Sequence, residues 1–176
     1  MKRLLLVMIL LLFSATSWGA CRVSTVNASF GSVTSFALSA SNEVATTGTL
    51  VVNCDTVLNL LTNDTVTLNY TGATVSASSR ATMKRTDNAT ITDVIPTRLC
   101  GLNTCNATNE VQIGKAYTWS GSSLLGLLGS RQYNIPLYFR TVAGQNVSAG
   151  PYQVTLNFNV SYSVCALGAL GLCTSA

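Results

Sequence analysis

The residues with the most chemistry in this chain are its six cysteines: Cys21, Cys54, Cys100, Cys105, Cys165 and Cys173. Thiols in this number either cross-link or hold a metal. A zinc site needs four clustered thiolate or imidazole ligands. The chain has no histidine and no Cys-x-x-Cys, so no metal-binding residue is expected. An even count in an exported chain reads as disulfides. Six cysteines allow 15 pairings. The pairing expected is Cys21–Cys54, Cys100–Cys105 and Cys165–Cys173: the last two close short loops, and the first ties two neighbouring strands.

Other reactive groups lack their partners. A serine or cysteine nucleophile needs an adjacent base, usually histidine, and there is none. Lys84 and Lys115 are the only lysines after Lys2, and neither sits in a Ser-x-x-Lys motif, although Ser79 lies five residues before Lys84. Both are read as solvated lysines on strand faces. A glycosidase needs two carboxylates about 5–10 Å apart. Asp55, Asp64, Asp87 and Asp93 fall instead at strand ends or turns, where Asp commonly caps backbone groups. No catalytic residue and no cofactor is expected, and the protein reads as not an enzyme. The Asn-x-Ser/Thr triplets at Asn27, Asn88 and Asn146 are what an Asn-, Ser- and Thr-rich chain produces by chance. Trp119, near Tyr117, is read as core rather than as a sugar-stacking platform. Arg140 is read as a surface cation packing its stem on a sheet.

Elements that could position these residues begin after residue 19. Lys2 and Arg3, the apolar run from Leu4 to Phe13 and the mostly small residues from Ser14 to Ala20 make a secretory signal peptide, too short to span a membrane. Cleavage after Gly19 leaves small residues at the last and third-last positions, Gly19 and Ser17. A lipoprotein-type signal is the rival, with Gly19-Ala20 before Cys21. Trp18 then stands where such signals carry Leu, and acylation of Cys21 leaves an odd cysteine. About 156 residues remain, enough for one domain over residues 20–176 with a sizeable core. Only 9% of the chain is charged, against about 25% in typical globular proteins. Setting aside Lys2 and Arg3 leaves eight basic and six acidic residues, too few and too scattered for a nucleic-acid footprint. No later apolar run is long enough for an integral membrane segment.

From Tyr152 to Val164 every second residue is apolar: Tyr152, Val154, Leu156, Phe158, Val160, Tyr162 and Val164. Side chains alternate faces in a strand, so this is one long strand with an apolar face, spanning roughly 40 Å. Further strands are expected at Arg22–Phe30, Gly48–Cys54, Thr65–Tyr70, Ala81–Arg85, Val94–Leu99, Val111–Ala116 and Ile135–Val142. Many short strands spaced by turn residues indicate an all-β sandwich. Three apolar stretches lie between strands: Val57-Leu58-Asn59-Leu60-Leu61, Leu124-Leu125-Gly126-Leu127-Leu128, and the Leu167, Leu170 and Leu172 run between Cys165 and Cys173. They are expected either to fold over the sandwich ends or to form exposed surface-binding loops, with Leu58, Leu60, Leu61, Leu124, Leu125, Leu127, Leu128, Leu167, Leu170 and Leu172 as contact residues.

Three segments resemble the spore coat protein U family, which includes subunits of archaic chaperone–usher pili. They are Cys21-Arg22-Val23-Ser24 leading to Ala28-Ser29-Phe30-Gly31-Ser32-Val33; Thr47-Gly48-Thr49-Leu50-Val51-Val52-Asn53-Cys54; and Pro136-Leu137-Tyr138-Phe139-Arg140-Thr141 followed by Gly144-Gln145-Asn146-Val147-Ser148-Ala149-Gly150-Pro151-Tyr152 and the long strand. The match is weak between about Leu58 and Ser130. The resemblance implies an immunoglobulin-like antiparallel β-sandwich without catalysis, lacking its last strand. A periplasmic pilus chaperone supplies that strand at first, and a neighbouring pilus subunit replaces it at the outer-membrane usher. A donating subunit needs an extended apolar segment before its first cysteine, and the expected cleavage leaves none. The resemblance therefore implies a tip-type adhesive domain that binds a hydrophobic surface or host receptor in attachment and biofilm formation. It implies export through the periplasm to the cell surface. The Cys165–Cys173 segment resembles the junction of two-domain tip proteins. The absence of a second domain after it leaves a stand-alone relative, a truncated tip protein or the distal domain of a split pair. The alternative is a self-associating structural coat or extracellular matrix protein.

Overall fold

The structure, a computed structural model, describes residues 21–24, 26–54, 64–125, 132–165 and 173–175. The expected signal peptide lies outside the described residues. Within them the strands are β1 (Cys21–Val23), β2 (Ala45–Cys54), β3 (Thr65–Ala73), β4 (Ser76–Ala77), β5 (Arg80–Arg85), β6 (Val94–Cys100), β7 (Ala116–Ser120), β8 (Gln132–Thr141), β9 (Tyr152–Gln153), β10 (Leu156–Cys165) and β11 (Cys173–Ser175), the longer of them built on alternating apolar residues. Two short helices, α1 (Ser35–Ser39) and α2 (Ser122–Leu125), complete the set. Thr34 caps α1 by accepting a hydrogen bond from the Ala37 amide.

The strands form two antiparallel sheets, in the immunoglobulin-like sandwich arrangement the sequence predicts. One has the order β1-β2-β8-β6-β5-β4, with β9 also on β5; the other is β11-β10-β3-β7. Period-two alternation decides which side chains meet between them. β8 alternates half-buried and buried residues along its whole length, sending Tyr133, Ile135, Leu137 and Phe139 inward. They pack with Leu50 and Val52 of β2, Val66 and Leu68 of β3, Trp119 of β7 and Val164 of β10.

Three strand expectations are corrected. The Tyr152–Val164 run is not one strand. β9 pairs with β5 in one sheet and β10 with β3 in the other, with the change at Val154-Thr155. There the Thr155 amide donates to Thr74 Oγ1, and the Thr74 amide donates to the Thr155 carbonyl. The strand expected at Val111–Ala116 lies five residues later as β7, because Gly114 takes φ +82° and the Lys115 amide turns back to the Gln112 carbonyl. The first strand, expected through Phe30, ends at Val23. Beyond it the chain still runs beside β2, held by the Ser24 amide on the Val51 carbonyl and by Thr46 Oγ1 on the Ser29 carbonyl. Only Gly48 in β2 permits this approach: a Cβ there would lie 2.5 Å from Val26 Cγ1 and 3.1 Å from the Asn27 carbonyl oxygen.

One pole of the sandwich gathers the end of β2 and the starts of β1, β3 and β8, with the ends of β7 and β10. Cys21 registers with Cys54, Asn53 with Gln132, and Thr65 with both Ser120 and Ser163. Hydrogen bonds from Tyr133 to Asp64 and from Tyr162 to Cys21 join the two sheets there. The described strand ends that flank residues 55–63, 126–131 and 166–172 therefore gather at this pole.

Candidate functional site

A groove of about 1740 Å³ opens between the two sheets. One wall is the unpaired stretch after β1, with Val26, Phe30 and Val33 half-buried. The other is the switch from β9 to β10, with Val154, Leu156, Phe158 and Val160 half-buried. Leu50, Ile95, Phe139 and the hydroxyl-bearing Thr97 and Thr141 form its floor. β10 pairs with β3 on one side over residues 156–163, but on its other side meets β11 only at residues 163–165. Among the described residues nothing pairs with the second edge of β10 along residues 156–162, and a strand with an open edge offers N–H and C=O groups to any extended segment laid beside it. Phe158 also packs on Tyr70, with ring centroids 5.1 Å apart, and burial pushes the Tyr70 hydroxyl up to about 12.

The groove mouth is held by polar contacts. Asp93 accepts hydrogen bonds from the side chain and the amide of Ser148, which hold its carboxyl below the usual range. Arg85 forms a fork to Asp87 and also donates to Ser148. These bonds fix residues 148–151 against the start of β9. Five further charged residues form a network at the larger sheet. Glu110 pairs with Arg80 and Arg98, Arg98 also with Glu43, and Glu43 with Arg140. Arg140, expected as a surface cation, belongs to an ion-pair network and also donates to the Asn103 carbonyl.

The residues predicted from sequence divide as follows. Cys21–Cys54 and Cys100–Cys105 are disulfide-bonded. Cys165 and Cys173 stand opposite each other in the β10–β11 register. Leu124, in α2, is fully buried in the core, so it is not an exposed contact. Leu125 ends α2, and nothing is described of its side chain. Leu58, Leu60, Leu61, Leu127, Leu128, Leu167, Leu170 and Leu172 lie outside the described residues, as does Asp55. Trp119 is core, its Nε1 donating to the Gly101 carbonyl. Asp64 is not a turn cap: it is buried, and the Tyr133 hydroxyl donates to it at 2.7 Å. The hydrogen bond and charge of Asp64, added to burial, raise the Tyr133 hydroxyl well above its ordinary range. Lys84 lies on β5 beside Gln153. Among the described residues no three His, Cys, Asp or Glu side chains come together as a metal set, and no helix is long and apolar enough to cross a membrane.

The family resemblance implies an open sheet edge, but the walls of the groove are not evident in the sequence. Their one signal was the spacing of Val26, Phe30 and Val33, four and three residues apart, where a paired strand would show a period of two.

The Spore Coat Protein U domain model matches residues 8–159, and the chain belongs to that family, one of structural pilus and coat subunits. None of the curated proteins compared with it matches the chain.

Proposed function

We propose that the protein is a non-enzymatic, exported pilus subunit of tip type, acting in cell-surface attachment and biofilm formation. The open edge of β10 beside an apolar groove carries this reading. A periplasmic pilus chaperone lays a strand there, and at the outer-membrane usher a neighbouring subunit's strand takes its place. The opposite requirement, a binding surface, is met by the three apolar segments, which all leave from one pole. Burying some 200 Å² of their leucine surface on a hydrophobic surface or host receptor gives roughly 5 kcal/mol before association costs. Single contacts are then weak, and many pili bind firmly by avidity.

The mature chain is expressed in an oxidising periplasm with and without a cognate chaperone, and the yield of soluble, cooperatively unfolding protein is measured. A marked gain in yield with a stable complex is expected. Equal yield of a fully stable monomer without chaperone sinks the assembly reading. Leu125→Ser with Leu127→Ser should abolish adhesion to a hydrophobic surface while the unfolding transition stays in place; unchanged adhesion removes the contact role. The same open edge favours a second reading, a coat or matrix protein in which copies pair edge to edge. It predicts chaperone-independent self-association in sedimentation experiments, indifferent to the leucine changes.

A further inference from the structure

The groove is closed at one end. The apolar series of β10 is half-covered at Leu156, Phe158 and Val160, then buried at Tyr162 and Val164. Two contacts make the change. The Tyr162 hydroxyl accepts from the Cys21 amide at 3.2 Å and donates to the Cys21 carbonyl at 3.0 Å, clasping β1 to β10 across the groove. Beyond it, β11 already occupies the β10 edge at residues 163–165. Among the described residues the Leu156 end has no such closure: Ser35 and residues 148–151 line the groove there. Between clasp and mouth the open edge is residues 156–162, about 23 Å at ~3.3 Å per residue. None of the described residues lining the groove is charged. A carboxylate or ammonium turned inward would lose its hydration without gaining a partner.

We infer that the Tyr162–Cys21 clasp and β11 act as an end-stop, which fixes the register and the length of the strand that the groove takes from a second polypeptide. That strand is an uncharged segment of seven residues with alternate apolar side chains. A shift by one residue turns its apolar set away from the core, so a stop at one end is enough to fix the whole register. The inference rests on the strand-acceptor reading above.

The test uses the oxidised full chain and synthetic peptides of alternating Val and Thr, five, seven, nine and eleven residues long, read by the thermal unfolding midpoint. The midpoint should rise from five to seven residues and stay constant beyond. A single Lys in the seven-residue peptide should abolish the rise at every second position and leave it intact between. In the double variant Tyr162→Phe, Thr174→Pro, which removes the clasp and a β11 amide, the plateau should move to nine residues or more. A rise that continues past seven residues in the unaltered protein overturns the stop, as does a plateau that stays at seven in the variant. If the variant does not fold, the unaltered series decides alone. If no peptide of any length moves the midpoint, the strand-acceptor reading falls and the stop with it.

Discussion

Glu110 is the most heavily paired carboxylate of a sparsely charged protein. Its side chain is 5% exposed, and it accepts hydrogen bonds from Arg80 Nε and Nη2 and from Arg98 Nε. Burial pushes its carboxyl up, but the hydrogen bonds and charges of the two arginines outweigh this, and it titrates below its ordinary 4.5. A carboxylate with a depressed folded pKa gives stability that is present above its unfolded pKa and lost as pH falls through the folded one. Glu110→Gln should cost about 2 kcal/mol near neutrality, the scale of hydrogen bonds to charged groups. For a chain of this size that lowers the midpoint by about 4–8 °C. Thermal scans of both proteins should show the full gap at pH 7, narrowing as pH drops below 4.5. A gap constant to pH 3 would mean that the arginines do not hold the charge. Nothing local announces this network: Arg80 and Glu110 are 30 residues apart, and Arg98 and Glu43 are 55 apart. Asp64 stands at a strand end, directly before β3, yet its carboxylate serves the Tyr133 hydroxyl rather than a backbone group. Asn63-Asp64 has the composition of a turn, and only the fold brings Tyr133 to it, 69 residues away.

At the scale of elements, cross-links and close approaches decide how firmly the groove walls are held. Cys21–Cys54 closes a sequence separation of 33, and Cys100–Cys105 one of 5. Loop-closure entropy ranks their contributions at about 4 and 2 kcal/mol. Cys21→Ala with Cys54→Ala should therefore lower the denaturant midpoint more than Cys100→Ala with Cys105→Ala; the reverse order would show that native-state strain outweighs loop length. Gly48→Val forces Val26 and Asn27 off β2. It should cost about 1–3 kcal/mol, the usual range for overpacking, and speed amide exchange across residues 24–34 while β8 stays protected. Uniform exchange would deny that this wall is a separate unit. Alternation made most of these strands legible, β8 and β10 best of all, because one buried face imposes a period of two. The break between β9 and β10 was not legible: both halves keep the same period while pairing with different sheets. β7 was displaced for a different reason, since Val111, Gln112 and Ile113 alternate correctly and only the positive φ at Gly114 ends the run.

Across the whole molecule, the groove and the strand ends that flank the apolar segments are arranged along one axis. The clasp between Tyr162 and Cys21 sits at the pole where segments 55–63, 126–131 and 166–172 join their strands. The groove mouth, at Ser35 and residues 148–151, lies at the other pole. A second polypeptide entering the groove therefore arrives from the pole opposite the strand ends that flank these segments. Between the two ends stands a core of interdigitated side chains from both sheets, with Leu50, Leu68, Ile135 and Leu137 each almost fully buried. Sites separated by such a core and sharing no partner change stability additively, within about 0.5 kcal/mol. Leu125→Ser with Leu127→Ser should thus leave the midpoint rise caused by a groove-filling peptide unchanged. Filling the groove should likewise leave adhesion to a hydrophobic surface unchanged. Leu124→Ala is the contrasting case: it empties a core position at the same pole and should cost about 2–5 kcal/mol. Measuring peptide-induced midpoint shifts in all three backgrounds separates the possibilities. Equal shifts mean two independent ends on one rigid body. A smaller shift in the Leu125, Leu127 variant would mean that occupancy of the groove is coupled to the apolar pole, and that attachment is controlled by assembly.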